Sequence, residues 1–221
     1  MRLIVLVSIV LLNSQPAFSE PTPFDVYKET IGFDVVRDGE RVGQHVTTFL
    51  REESDLIVES RMNMNITFLT IPVYTFDYRS VEKWSDGALS HLDVAVKDGS
   101  DQIEISSRLN ANGLIIKAPS GTYNIDSPII STNHWNADVV RQSRVLNTLT
   151  GNVNQVKIWN RGLERIPVNG GSIMATHYEY SGELEDTSVW YDAKGRWSKL
   201  RFKARDGSTV EYICNTCEQE P

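Results

Sequence analysis

Cysteine, positive charge and long apolar runs are all scarce in this sequence. Only two cysteines occur among its 221 residues, and both lie near the end of the chain. The 22 Lys and Arg residues are outnumbered by 29 Asp and Glu residues, which gives a formal net charge of −7. Such a surface repels nucleic acid, whose binding requires clustered cations. We therefore expect no nucleic-acid partner.

Residues 1–19 have the form of a cleaved secretory signal. A basic start at Arg2 precedes an apolar core over 3–12, and small residues at Ala17 and Ser19 favour cleavage near Ser19. The core is shorter than the ~20 residues that a membrane-spanning helix needs, and no second run of that length follows. The sequence predicts an exported protein whose mature chain has no transmembrane anchor.

The two cysteines, Cys214 and Cys217, follow a β-like run over 208–213. In an exported protein such a pair favours a small disulfide loop. A redox-active pair would need the first sulfur at a helix N-terminus, and a metal site would need two further ligands at suitable spacing. We expect a disulfide, and we expect no metal and no other cofactor.

Turn signals and alternating hydrophobicity predict a mainly β protein. Pairs such as Asp38-Gly39 and Asn112-Gly113 supply the positive φ of tight hairpin turns, and they separate runs rich in β-branched and aromatic residues. Strands are predicted over 30–37, 42–52, 55–68, 73–84, 88–98, 101–110, 113–118, 121–126, 154–161, 163–168, 172–181, 186–192, 196–205 and 208–214. Short connections make consecutive strands neighbours in an antiparallel meander.

One face of this predicted sheet is apolar. The alternation is clearest in two neighbouring strands, where the apolar positions are Leu56, Val58, Met62, Met64 and Ile66, then Tyr74, Phe76 and Tyr78. An open sheet cannot leave such a face in water, so it must close, fold over or curl around a plug. We predict one large, strongly curved sheet, a half-barrel or open barrel. It would form a single domain over 30–214, between an extended leader over 20–29 and a tail over 215–221.

The stretch 130–150 breaks the β pattern. Asn136 can cap a helix, and Gly151 suits a helix C-terminus. Apolar residues at helical spacing fall on one side of it, namely Val139, Val140, Leu146 and Leu149. The sequence predicts one inserted amphipathic helix near 136–150 that plugs the concave face, with His134 and Trp135 at the rim.

The candidate ligand-binding residues come from the apolar stripe and from the entrance to this helix. They are Met62, Met64, Tyr74, Phe76, Tyr78, His134 and Trp135. Flexible Met beside Tyr forms an adaptable wall for an apolar guest, although any large sheet also needs such residues for its core. His134 could bind an anionic or carbonyl group. The simpler interpretation is a hydrogen-bonded loop residue, beside a tryptophan that closes the end of the sheet.

Familiar catalytic signatures are missing, including G-x-S-x-G, H-E-x-x-H, the P-loop and the dinucleotide fingerprint. His177 and Glu179 could form an acid–base pair on one strand face, but a solvated face is the simpler interpretation. No catalytic residue is assigned. The leading hypothesis is binding of a lipid, another apolar ligand or a lipidated protein in the concave face. The alternatives are an envelope hydrolase acting on a glycan or ester, with His134 or His177 as base, and a ligand-free envelope scaffold.

Four runs carry a resemblance to known proteins, namely Ile31–Gly43, Val81–Gly87, Asn133–Asn136 and Val189–Gly195. Through them the mature chain resembles a family of uncharacterised exported proteins of Gram-negative bacteria, known only as a domain of unknown function. This resemblance implies a β fold and a periplasmic location but no catalytic residues. More distantly, the architecture is similar to the half-barrels of periplasmic lipoprotein carriers (LolA/LppX-like), which would imply an apolar ligand.

Overall fold

In this computed structural model, residues 23–69 and 71–217 are described. The predicted signal peptide over 1–19, its cleavage point and most of the predicted tail lie outside these ranges. Residues 23–27 belong to the predicted extended leader, but they form a short helix, α1 (Pro23–Tyr27). Tyr27 at its end is buried, and its ring stacks on that of Phe49 at 4.8 Å. Packing against the sheet therefore orders this part of the leader.

Fourteen strands account for most of the described chain. They are β1 (Thr30–Arg37), β2 (Glu40–Glu52), β3 (Asp55–Phe68), β4 (Ile71–Ser85), β5 (Ala88–Asp98), β6 (Asp101–Asn110), β7 (Gly113–Ala118), β8 (Gly121–Ile125), β9 (Arg144–Leu146), β10 (Val153–Val168), β11 (Gly171–Gly182), β12 (Ser188–Tyr191), β13 (Trp197–Lys203) and β14 (Thr209–Cys214). The predicted strands are confirmed to within a few residues. The two predicted over 154–161 and 163–168 are one strand, β10, which has an irregularity between Asn160 and Gly162.

All fourteen strands form one antiparallel sheet, in the order β8-β7-β6-β5-β4-β3-β2-β1-β14-β13-β12-β11-β10-β9. The first and last strands meet at its middle, where Phe33 pairs with Cys214 and Val35 with Tyr212. The sheet does not close into a barrel, because β8 and β9 remain as its edges. The predicted open, meandering β architecture is confirmed.

The predicted helix over 136–150 is wrong in extent. Asn136 does act as a cap, since its side chain accepts the Asp138 N–H at 2.9 Å. However, the helix is a single 3₁₀ segment, Ala137–Arg141, and the chain then becomes extended at Gln142 and enters β9. The β-branched residues of this stretch lower its helix propensity. The residues Arg144–Leu146 pair instead with Val153–Gln155 of β10, and this pairing holds them in an extended conformation.

The turn after β9 brings the two edges of the sheet together. Tyr123 of β8 donates its hydroxyl hydrogen to the carbonyl of Gly151, and Ser120 bonds Asn152 at 3.0 Å. Gly151 has a φ of 73°, and a Cβ added there would lie 2.5 Å from the Cβ of Ala118. Glycine is therefore required at position 151 because the backbone turns there and packs closely against Ala118. The interpretation of Gly151 as a helix C-terminus is corrected.

The C-terminal loop fastens to the middle of the sheet. Cys214 and Cys217 form the predicted disulfide. The backbone N–H of Gly32 donates to Thr216 Oγ1 at 2.9 Å, and the N–H of Asn215 donates to the Gly32 carbonyl at 2.9 Å. Among the described residues, no helix has the length and apolar character needed to cross a bilayer.

Candidate functional site

A cavity of about 350 Å³ lies between the concave face and the loops that cover it. Strands β2, β3, β4, β13 and β14 supply one wall, and the segments 132–134, 147–149 and 183–187 supply the other. The lining residues are His45, Met62, Phe76, Tyr78, Thr132, Asn133, His134, Asn147, Thr148, Leu149, Glu183, Leu184, Glu185, Thr187, Trp197, Leu200, Phe202, Lys203 and Tyr212. The covering loops therefore leave part of the concave face unfilled.

The cavity changes character with depth. The buried part of its wall is aromatic and apolar, formed mainly by Met62, Tyr78, Trp197, Leu200 and Tyr212. The partly exposed part adds the apolar side chains Phe76, Leu184 and Phe202, and the charged residues Glu183, Glu185 and Lys203 are exposed. This arrangement offers a mainly apolar interior, with uncharged polar groups such as His45 and Asn133, behind a charged mouth.

His45 is the most unusual residue of the wall. It is buried, and its Nε2 lies 3.1 Å from Thr47 Oγ1, which in turn lies 2.9 Å from Ser60 Oγ. The other ring nitrogen, Nδ1, is buried and has no hydrogen-bond partner in the described structure. Buried polar atoms without partners are rare in native proteins. This atom marks His45 as a candidate contact for a ligand.

His134 enters the cavity from the covering loop rather than standing at its rim. It is buried, and its Nδ1 lies 3.5 Å from the hydroxyl oxygen of Tyr180. Its backbone has a φ of 61°, which costs a non-glycine residue about 1–3 kcal/mol. The Tyr191 hydroxyl holds this conformation by donating to the His134 carbonyl at 2.8 Å. The predicted rim position is corrected.

Both imidazoles of the cavity are neutral near pH 7. Burial, with a smaller contribution from the neighbouring His134, lowers the pKa of His45 to about 3. Burial alone lowers the pKa of His134 to about 4. The deep wall thus presents hydrogen-bonding groups without charge.

Glu82 anchors the covering loop to the concave face. This fully buried carboxylate receives hydrogen bonds at Oε2 from the indole N–H groups of Trp84 at 2.9 Å and Trp135 at 2.8 Å. At Oε1 it receives the Asn133 amide at 2.6 Å and the Ser131 hydroxyl. All four neighbours donate, which suits an acceptor-only carboxylate. The position of the whole 131–135 segment depends on this cluster.

Trp135 closes the end of the sheet, as the simpler interpretation of the sequence has it. Its ring meets Trp84 edge to face at 5.2 Å and Phe49 at 5.7 Å. Its carbonyl accepts the Tyr27 hydroxyl at 2.6 Å. These contacts make Trp135 part of the core beside the cavity and not part of its wall.

The structure brings four of the seven predicted ligand-binding residues together. Met62, Phe76, Tyr78 and His134 line the cavity, whereas Met64, Tyr74 and Trp135 do not. Met64 is buried in the core, and the hydroxyl of Tyr74 donates to Asp98 at 2.6 Å. Among the described residues, no cluster of three or more His, Cys, Asp and Glu side chains is arranged to hold a metal ion.

His177 lies away from the cavity and is not on a solvated face. Its side chain is 15% exposed, and its ring stacks on Trp190 at 4.4 Å. Its Nδ1 lies 3.8 Å from Glu164, whose carboxylate also accepts the Trp190 indole N–H at 2.6 Å. The acidic neighbour of His177 is thus Glu164 on β10. Glu179 instead pairs with Arg161 at 2.7 Å, so the possible pair of His177 with Glu179 is not formed, and the predicted solvated position of His177 is corrected.

Sequence reasoning missed His45 and Glu82, although a signal for both was present. Continuing the alternation of Tyr78 along β4 places Ser80 and Glu82 on the same inward face. His45 is likewise paired with inward-facing Met62 across β2 and β3. A polar residue at an inward position of an alternating strand indicates a buried polar group, and this pattern could have identified both residues.

The comparisons with known proteins identify a family without an assigned activity. The model of a domain of unknown function, DUF6134, matches residues 33–215. The chain belongs to this family. The resemblance to a domain-of-unknown-function family is thereby confirmed, while export and the likeness to lipoprotein carriers stay predictions. No curated protein matches the chain.

A solved structure supports the same fold. It is the crystal structure of a β-barrel-like protein of another domain of unknown function, DUF1849, from Brucella abortus. The two chains are 9% identical, with a TM-score of 0.57 over 86% of this chain and 98% of the other. At this identity the likeness shows a shared fold alone.

Proposed function

We propose that this DUF6134 protein binds a small, mainly apolar ligand in its concave cavity after export to the periplasm. The observation that carries the proposal is the cavity itself, with Met62, Trp197 and Tyr212 among its buried wall residues. Binding would be driven by removal of apolar surface from water, at about 0.8 kcal/mol for each buried methylene group. The signal-like residues 1–19 support the periplasmic location.

The size of the cavity favours one small molecule. Its volume of about 350 Å³ lies near the lower end of the ~300–1,000 Å³ range of ligand pockets. One acyl chain or one small ring system suits this space better than the several chains of a lipidated protein. We therefore narrow the ligand hypothesis to a small molecule.

The alternatives receive less support from the described residues. His134 faces the hydroxyl of Tyr180, and His177 faces Glu164 outside the cavity. Neither arrangement places a histidine base between a carboxylate and a nucleophile in a cleft, as a hydrolase would need. A ligand-free scaffold would be expected to fill its concave face, and this one leaves a cavity.

Uptake of an uncharged fluorescent probe would test the proposal. We would titrate N-phenyl-1-naphthylamine into the purified protein and into Thr187→Trp, a substitution in the covering loop that lines the cavity. The original chain should bind the probe, and Thr187→Trp should weaken binding by at least about 10-fold because the larger ring fills the space. Val46→Trp, at an exposed position outside the cavity lining, is the control and should leave binding unchanged.

Native mass spectrometry of protein purified from the periplasm would then identify a natural ligand. Absence of probe binding by the original chain, or equal binding by Thr187→Trp, would rule out the cavity as the binding site. The comparison of Thr187→Trp with the original chain requires that Val46→Trp is folded and binds the probe with unchanged affinity.

A further inference from the structure

The polar groups of the cavity separate into a charged set at the mouth and an uncharged set inside. Glu183, Glu185 and Lys203 are exposed. The buried polar lining residues include His45, Tyr78, Asn133, His134 and Thr148, none of which carries a charge near pH 7. A ligand that enters past the mouth therefore meets hydrogen-bonding groups but no buried cation.

The unpartnered nitrogen of His45 restricts the polar group that fits inside. If Nε2 donates to Thr47, then Nδ1 is an acceptor; if Thr47 donates to Nε2, then Nδ1 is a donor. A hydroxyl group both donates and accepts, so it satisfies either tautomer. Leaving the buried Nδ1 unpaired costs free energy that a bound hydroxyl would recover.

We infer that the ligand carries an uncharged hydroxyl group, placed against His45 at the inner end of the cavity, and that the corresponding carboxylate is rejected. This inference rests on the proposed function. A carboxylate would lose its hydration without gaining a cation inside, and on entry it would pass a mouth where Glu183 and Glu185 outnumber Lys203. Met62 pairs with His45 across the sheet, and its flexible side chain can yield to admit the hydroxyl.

Three probes of one ring system separate the possibilities, namely naphthalene, 2-naphthol and 2-naphthoate. We expect 2-naphthol to bind the full protein at least about 10-fold more tightly than either of the others, equivalent to about 1.4 kcal/mol. Calorimetric or fluorescence titration would measure the three affinities. If none binds, the proposed function fails. If naphthalene binds as well as 2-naphthol, or 2-naphthoate binds best, the hydroxyl inference fails while the proposed function stands.

The variant His45→Phe tests whether His45 is the contact. It keeps a ring at the site and removes the unpartnered nitrogen, so the preference for 2-naphthol over naphthalene should fall to about 3-fold or less. His91→Phe is the matched control, because His91 pairs with Asp93 outside the cavity lining, and its preference should be unchanged. A folded His45→Phe protein that keeps the full preference would overturn the assignment.

A spectroscopic measurement on the unaltered chain does not depend on how the variant folds. In ¹⁵N-histidine NMR, adding 2-naphthol should shift the ring nitrogen resonances of His45 and leave those of His91 in place. Saturating 2-naphthol without any shift at His45 would also overturn the assignment.

Discussion

At the scale of single residues, Glu82 connects the sheet to the loop that covers the cavity. It lies on the apolar face of β4 and joins that strand to a loop about fifty positions later in the chain, through Ser131, Asn133 and Trp135. A buried carboxylate is costly unless donors surround it. Here three of the donors belong to the segment that covers the cavity, so Glu82 holds that segment against the sheet.

Replacing Glu82 by Gln should destabilise the protein by about 1–3 kcal/mol. The amide that replaces Oε1 or Oε2 would face N–H or O–H donors, and at least one buried donor would lose its acceptor. Urea denaturation would measure the free energy of unfolding. Glu104→Gln, at an exposed position of β6, is the control and should change it by less than about 0.5 kcal/mol. Equal effects of the two substitutions would contradict the anchoring role.

At the scale of elements, the turn after β9 limits the opening of the sheet. Its residues bond to β8 through Tyr123 and to the turn between β7 and β8 through Ser120, so two edges that do not pair still contact each other. Exposed strand edges invite unwanted pairing, and covering them with a loop is one way to prevent it. The same turn supplies Thr148 and Leu149 to the cavity wall.

Gly151→Ala should therefore cost more than an ordinary glycine substitution in a turn. The new Cβ would combine a strained φ with a close contact at Ala118. Gly87→Ala is a matched control, because Gly87 has nearly the same φ, 75°, and open space around it. We expect the strained backbone to lower the free energy of unfolding by about 1–3 kcal/mol in both variants. Only Gly151→Ala should lose further stability. Thermal denaturation would measure the stability of both variants. Equal losses of stability would show that the close contact of Gly151 with β7 is unimportant.

At the scale of the whole molecule, two neutral imidazoles in one interior make stability depend on pH. The folded-state pKa values of His45 and His134, about 3 and about 4, lie below the unfolded value of 6.5. The unfolded chain therefore binds more protons between these limits. Their contribution is fully present above pH 6.5 and is lost progressively as the pH falls, down to about 4 for His134 and about 3 for His45.

The free energy of unfolding should decrease by about 1.4 kcal/mol per pH unit for each of these histidines below pH 6. In His45→Phe one of the two contributions is removed, so its dependence on pH between 6 and 4.5 should be shallower by about that amount. Denaturant titrations at several pH values would measure both slopes. Parallel slopes would show that His45 does not stay neutral in the folded protein. His91→Phe controls for the loss of a histidine that is partly exposed and lies outside the cavity.

Much of the architecture could be predicted because its signals are local. Asp-Gly and Asn-Gly turns fix where strands end, and the alternation of residues such as Tyr74, Phe76 and Tyr78 fixes which face is buried. The same alternation placed Met62, Phe76 and Tyr78 on the face that forms the cavity wall. The local rules failed for 136–150. A periodic apolar pattern there indicated a helix, but part of the stretch pairs with β10 and forms the strand β9.

The sequence by itself determined all the strands except β9, their order along the chain, the buried face and the disulfide between Cys214 and Cys217. Only the tertiary structure decided which loops cover that face, that Glu82 holds one of them, and that His45 is left with an unpartnered nitrogen beside an unfilled space. The physical reason is the distance along the chain over which each kind of interaction acts. Turns and alternation act between neighbouring residues, whereas a cavity is the volume left over when segments far apart in the chain pack together.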